Sequence, residues 1–428
     1  MSSVQAPGVY VKEVPSGVRQ IVGVGTSIPA FLGYTKAPDM DAAAGLTEAE
    51  RQVPTLIRSW QEFASGYGVK EIAEEIAEAT DPVAKRALER CLPLAEAVYG
   101  FFANGGASCY VVGFTSPQKA VSVQDLKGDA GARTGLAGLE AVHDVAMVAV
   151  PSLWDMTTNA TASQAAPDEA EGISRMAAVA KHCTEQGDRL AILDPPPGLD
   201  PDQAKAFADS LDAPDSDAAA FTTLYYPWIT VPGVDASART VPPSGHLAGV
   251  WARTDAERGV FRAPANQVLR GVTELATTLT DEQHGELNVK GVNCLRRFPD
   301  RGLLVWGART RSSARDWRYL NVRRVVSFLS DSVRESTTWA VFEPNDERLW
   351  ATLRHSVTSF LTDQWRQGAL MGRTPDEAFY VICDNTNNKP ETIDAGKVIC
   401  DIGVAPVRPA EFVHFTITQL AGEPGKAT

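Results

Sequence analysis

Between about residues 115 and 235, short apolar runs alternate with amphipathic stretches, and this rhythm constrains the fold more than any other feature of the chain. GLAGLEAV (135–142) reads as a helix and VAMVAVP (145–151) as a buried strand. ISRMAAVAKHCTEQG (173–187) reads as a helix closing at Gly187. RLAILDPPPG (189–198) is a strand ending at Asp194, and TTLYYPWITVPG (222–233) is another strand. Continuous apolar strands alternating with helices are the pattern of a parallel sheet covered on both faces. The acidic, alanine-rich segments 156–172 and 207–220 are expected as exposed loops on an outer face.

On either side of this region the pattern changes. IPAFLGY (28–34) reads as a buried strand, 46–103 as mostly helical with Thr47 and Glu50 as a capping box, and Cys109–Gly113 as a strand. Downstream, 301–310 reads as a strand, 321–336 as a helix, and TTWAVFEPND (337–346) as a strand and turn. The spacing of Leu349, Leu353, Val357, Phe360 and Leu361 predicts an amphipathic helix over 346–367, capped by Asn345 or Asp346 and ended by Gly368. Strands are expected at 379–383 and 398–404. Both chain ends are strand-like without a local partner. Val9, Tyr10, Val11 and Val14 form a β-rich run between Pro7-Gly8 and Pro15-Ser16-Gly17. In Glu411–Leu420, Phe412 is followed by Val413, Phe415 and Ile417 on one face, opposite His414, Thr416 and Thr418. An isolated terminal strand has little local reason to stay ordered and needs a sheet to join.

No motif for catalysis emerges. GVGTSI at Gly23 lacks the third glycine of a dinucleotide loop, and there is no Walker A sequence, H-E-x-x-H or G-x-S-x-G elbow. Ser244 and His246 stand close within VPPSGHLAGV, but a triad needs a placed acid, and a Pro-rich turn entering a helix accounts for the segment. Asp194 at a strand end reads as a turn cap rather than a ligand-binding carboxylate. The six cysteines lack C-x-x-C spacing and read as reduced core residues, with no metal and no cofactor expected. No signal peptide is visible, and no apolar run is long enough to span a bilayer.

Charge is more informative. From Arg296 to Arg373 there are 14 arginines, no lysine and 8 acidic residues, so this segment is +6 and leaves −19 for the rest of a chain of net charge −13. An acidic chain is a poor general nucleic-acid binder. Arginine without lysine favours forked pairing, either within the subunit or against an acidic protein partner.

Several stretches together resemble the tail sheath proteins of contractile phages and contractile injection systems. They include APGVYVKEV (6–14), VYGFFANGGASCYVVGF (98–114), VPPSGHLAGVWARTDAERGVFRAPAN (241–266), 292–325, 337–372 and DIGVAPVRPAEFVHFTITQ (401–419). The resemblance implies a mixed α+β fold, with a core α+β domain formed by both chain ends and an inserted, outward-facing α/β domain. The implied divisions are an N-terminal strand arm (1–20), a first part of the core (21–97), the insertion (98–240), the tube-proximal core (241–410), and a C-terminal arm and tail (411–428). It further implies terminal arms that cross into neighbouring subunits: Val9, Tyr10, Val11 and Val14 at one end, and Phe412, Val413, Phe415 and Ile417 at the other. The helix over 346–367 corresponds to the family's tube-facing helix, with Arg348, Arg354 and Arg366 off its apolar stripe. The implied function is structural and not enzymatic: stacked hexameric rings around an inner tube, contracting from a metastable lattice without ATP at each step. The implied partners are other copies of the chain, an inner tube protein, and baseplate and cap proteins, with no direct nucleic-acid or membrane contact. The implied location is a phage tail or injection particle assembled from cytoplasmically made subunits. A static filament protein accommodates the arms equally, although the arginine-bearing helix fits a tube-gripping sheath better, and a soluble α/β hydrolase requires a triad assembled in space.

Overall fold

The computed structural model describes residues 19–36, 51–159, 167–211, 216–234 and 237–413. In chain order the strands are β1 (Pro29–Tyr34), β2 (Thr55–Ile57), β3 (Cys109–Phe114), β4 (Met147–Ala149), β5 (Leu190–Leu193), β6 (Thr222–Tyr226), β7 (Ile229–Pro232), β8 (Ala238–Val241), β9 (Gln267–Val268), β10 (Glu274–Leu275), β11 (Val292–Phe298), β12 (Gly302–Val305), β13 (Phe379–Ile382) and β14 (Asp401–Val404). Nine of them form one sheet in the order β2-β3-β1-β4-β5-β6-β11-β12-β9. Its middle, from β3 to β11, is parallel; the edge pairs β2–β3, β11–β12 and β12–β9 are antiparallel.

The apolar runs explain why the middle is parallel. Every residue of PAFLGY in β1 and of LAIL in β5 is buried, as a strand covered on both faces requires. Side chains alternate between two cores: Ala30, Leu32 and Tyr34 enter one with Val148, Ala191 and Leu224, while Phe31 enters the other with Met147, Ile192 and Tyr225. The first face is covered by helices Glu169–Gln186 and Pro201–Ser210 through Met176, Val179 and Phe207. The second is covered by helices Leu92–Ala103 and Ser244–Arg258 through Leu94, Val98, Phe101, Leu247 and Trp251. These last two helices meet closely because Gly100, Gly245 and Gly249 lie at the crossing, where a Cβ would strike His246, the Ala97 backbone or the Phe101 carbonyl.

A smaller layer follows in sequence. Helices Leu320–Ser336 and Glu347–Arg366 share a core of Val325, Leu329, Val357, Phe360 and Leu361. The two-stranded antiparallel sheet β13–β14 packs on the second helix, with Cys383 beside Leu349, Trp350 and Leu353.

Helix Leu92–Ala103 runs across 97/98, and the sheet draws strands from 21–97, 98–240 and 241–410 alike. Sequence order does not report which strands become neighbours, and β1 lies between β3 and β4. Several expectations about single elements are corrected. The stretch 46–103 contains strand β2, paired to β3. TTLYYPWITVPG is two strands, broken at Pro227, which has no amide hydrogen for a ladder. The acidic segments are partly helical, beginning at Glu169 and Asp217 behind the caps Asp168 and Ser216. TTWAVFEPND holds only a single 3₁₀ turn, Thr338–Ala340, with Val341 and Phe342 exposed and no strand to pair with.

Candidate assembly sites

In a doubly wound sheet a ligand would bind at the carboxyl ends of the strands where the winding reverses, here β1 and β4. Arg90 lies at that crevice. Its guanidinium lies over the Tyr34 ring at 4.6 Å and donates to Tyr34 Oη (3.0 Å) and to the carbonyls of Pro117 (2.7 Å), Thr158 (2.6 Å) and Asp155. The end of β5 is closed by two indoles, Trp154 Nε1 donating to Asp194 O and Trp228 Nε1 to Pro195 O, each at 2.9 Å. Asp194 accepts from the Ser244 amide at 3.1 Å, capping helix Ser244–Arg258 from a neighbouring strand, and burial pushes its carboxyl up to about 7. Ser244 and His246 form no hydrogen bond with each other. The imidazole is buried against Gly100, and burial holds it down at about 4. Asp194 thus caps the helix, and Ser244 and His246 are buried in its first turn. Among the described residues no group of three or more His, Cys, Asp or Glu could hold a metal, and no helix is long and apolar enough to cross a membrane.

The segments next to both presumptive arms are fastened to the body. Residues 19–28 run along helix Leu320–Ser336, whose hydroxyls at Ser332 and Ser336, one turn apart, accept from the amides of Val24 and Val22, each at 3.1 Å. Thr26 Oγ1 donates to Asp255 Oδ2 at 2.7 Å, and the Thr26 carbonyl accepts from Arg324 at 3.0 Å. Arg324 grips Asp255 through both guanidinium ends, at 2.8 and 2.5 Å, with the two side chains only 3% and 6% exposed. The pair ties the N-terminal segment, helix Ser244–Arg258 and helix Leu320–Ser336 together. At the other end, Arg309 Nε and Nη2 donate to the two carboxylate oxygens of Glu411 at 2.8 and 2.5 Å, and Asn288 Nδ2 adds a third bond at 3.1 Å. Beyond this clamp Phe412 and Val413 are 68% and 66% exposed. Val9, Tyr10, Val11, Val14, Phe415 and Ile417 lie outside the described residues.

Most of the arginine-rich segment is engaged within the subunit. Arg296, Arg309, Arg324, Arg334 and Arg366 pair with carboxylates. Arg323 is buried between the rings of Phe221 (4.6 Å) and Trp317 (4.3 Å). Of the three helix arginines, Arg354 donates to Cys383 O at 2.7 Å and Arg366 sits 3.3 Å from Asp363 at the surface. Arg348 is exposed in the first turn, where its amide, not its side chain, meets the cap Asp346. Arg348 and Arg366 share an angular position five turns apart, about 27 Å along the axis. The arm-root contacts were missed in the sequence, because hydrogen bonds between residues from 102 to 314 positions apart leave no local pattern.

The chain is similar to known proteins across these elements. The phage tail sheath protein central domain matches residues 130–311, and the phage tail sheath C-terminal domain matches 312–419. The tail sheath protein of Vibrio phage KVP40 is 26% identical over 220 residues, 50% of this chain and 31% of that protein. A putative prophage major tail sheath protein of Pseudomonas aeruginosa is 28% identical over 185 residues, 42% of this chain and 46% of that protein. The matched region thus spans less than half the length of these curated relatives. Among solved structures, the sheath complex of the extracellular contractile injection system PVC in its contracted state superposes with a TM-score of 0.69 at 27% identity, covering 98% of this chain and 99% of that one. The contracted helical sheath of the anti-feeding prophage gives 0.67 at 28% identity, covering 97% and 99%. The chain belongs to the phage tail sheath protein family.

Proposed function

We propose that this chain polymerises with copies of itself as stacked hexameric rings around an inner tube and contracts to drive that tube through a target envelope. The observation that carries the reading is the pairing of two fastened arm roots with an incomplete sheet. β13–β14 is only two strands, which is marginal alone, and it exposes Tyr380, Ile382 and Ile402. Its open edges offer backbone groups that strands Val9–Val14 and Glu411–Leu420 of neighbouring subunits can satisfy. Force between subunits then passes through the Ser332–Ser336 and Arg309–Glu411 anchors into the body. The subunit needs no catalytic residue, because the energy of contraction is stored as an unfavourable lattice at assembly. Cytoplasmic synthesis, and baseplate and cap proteins at the sheath ends, complete the reading.

The helix Glu347–Arg366 is the tube-facing element in this reading. Arg354 and Arg366 already have partners within the subunit, so Arg348 is the arginine best placed to meet an acidic tube residue. The test is truncation. Chains starting at Ser16, or ending at Val413 so that the Glu411 clamp is kept, should show the circular dichroism of the full chain yet form no striated tubes by electron microscopy. Tubes of normal length from either truncation refute strand donation.

A further inference from the structure

Six cysteines are present, and two of them oppose each other. Ile382 pairs with Asp401 at the end of the β13–β14 ladder, so the next residue on each strand, Cys383 and Cys400, stand directly across from one another. Cys400 packs against the small cluster that holds Cys383. Cys383 is fully buried beneath Leu349, Trp350 and Leu353. Cys400 is partly exposed and lines an open groove of ≈ 550 Å³, which gives a small solute access to the Cys400 side of the pair. The loop between them is already fixed: Asn388 donates from Nδ2 to Ile399 O at 2.9 Å and accepts from Ile399 N at 2.7 Å. Cross-strand neighbours have Cβ atoms within about 4.5–5.5 Å, close to what a disulfide spans.

We propose that Cys383 and Cys400 form an oxidisable pair that closes to an intramolecular disulfide when the chain meets a hydroperoxide. The chemistry is in two steps. One sulfur of the pair attacks the peroxide O–O bond, giving a sulfenic acid and releasing one hydroxyl that leaves as water (for hydrogen peroxide). The other sulfur then attacks the sulfenic acid, forming the S–S bond and releasing a second water; two thiols are oxidised by two electrons and one peroxide is reduced. The contact with Cys400 and the nearby Arg354 guanidinium draw the Cys383 thiol down, and the Cys400 thiol is pushed up. Cys91, Cys183 and Cys294, by contrast, are buried and pushed up to about 12, which makes them inert at neutral pH. The bond ties the two strands of the hairpin at their loop end. A chain passing from a reducing to an oxidising compartment acquires it on the way. The inference stands whether or not this hairpin receives a neighbour's strand.

The test uses the full chain, purified under reductant, desalted and treated with a slight excess of hydrogen peroxide. Tryptic digestion without reductant, cleaving after Arg373 and Lys397, should yield peptide 374–397 joined to the peptide that begins at Val398, lighter than their sum by two hydrogens. Reduction should separate them, and the other four cysteines should alkylate as free thiols after denaturation. Cys383→Ser and Cys400→Ser should each abolish the joined species. Recovery of both thiols free, over-oxidation of either cysteine to the sulfinic acid without the joined peptide, or a disulfide between two molecules overturns the proposal.

Discussion

Replacing Glu411 by alanine removes both charge-assisted bonds from Arg309 and the third from Asn288. A hydrogen bond to a charged group contributes about 1.5–3 kcal/mol net. The two side chains are 11% and 20% exposed, so solvent screens them in part, and we take about 2–3 kcal/mol for the whole clamp. Each 1.4 kcal/mol is tenfold, so the fraction of subunits with a fastened C-terminal root falls by about 30- to 150-fold. If each subunit contributes one such arm to the lattice, the critical concentration for polymerisation rises by up to that factor. Sedimentation across a concentration series measures it, with electron microscopy to confirm the product. The charge swap Arg309→Glu with Glu411→Arg should recover much of the loss, because the pair is re-formed in reverse. An unchanged critical concentration for Glu411→Ala would refute the claim that this carboxylate anchors the arm.

Arg324→Ala should destabilise the subunit by about 3–5 kcal/mol in urea unfolding, because it leaves the Asp255 carboxylate buried without its cation; a loss under 1 kcal/mol contradicts the buried-pair reading. Stability should also fall on the acid side. Burial holds both His182 and His246 down at about 4, against an ordinary value of 6.5, so the fold keeps them neutral. Their stabilising contribution is whole above pH 6.5 and is lost as the pH falls towards 4, at about 1.4 kcal/mol per unit for each. Asp194, raised to about 7, acts in the opposite sense over part of that range, its contribution present at low pH and lost as the pH rises to 7. Comparing urea midpoints of the wild type and His182→Gln with His246→Gln at pH 7, 5.5 and 4.5 isolates the histidines. The wild type should lose ground to the variant as pH falls, and a constant difference excludes them.

The sequence by itself determined the elements whose signal is local. A continuous apolar run such as PAFLGY has to be buried on both faces, so β1 was legible as a core strand; the stripe Leu349, Leu353, Val357, Phe360 and Leu361, with Asp346 at its start, fixed helix Glu347–Arg366 nearly to the residue. Family membership was legible for the same reason: long stretches in the C-terminal third keep their order and composition. Tertiary structure decided everything that depends on which distant segments meet. It placed β1 between β3 and β4, and it left TTWAVFEPND a 3₁₀ turn with no strand pairing among the described residues. It also chose among the arginines. All fourteen look alike in the sequence, but a guanidinium's role is set by the oxygen or ring it reaches: a carboxylate 69 positions away for Arg324, one 102 away for Arg309, two aromatic faces for Arg323, and solvent for Arg348. Those partners are brought together only by packing, and no periodicity in one dimension encodes them.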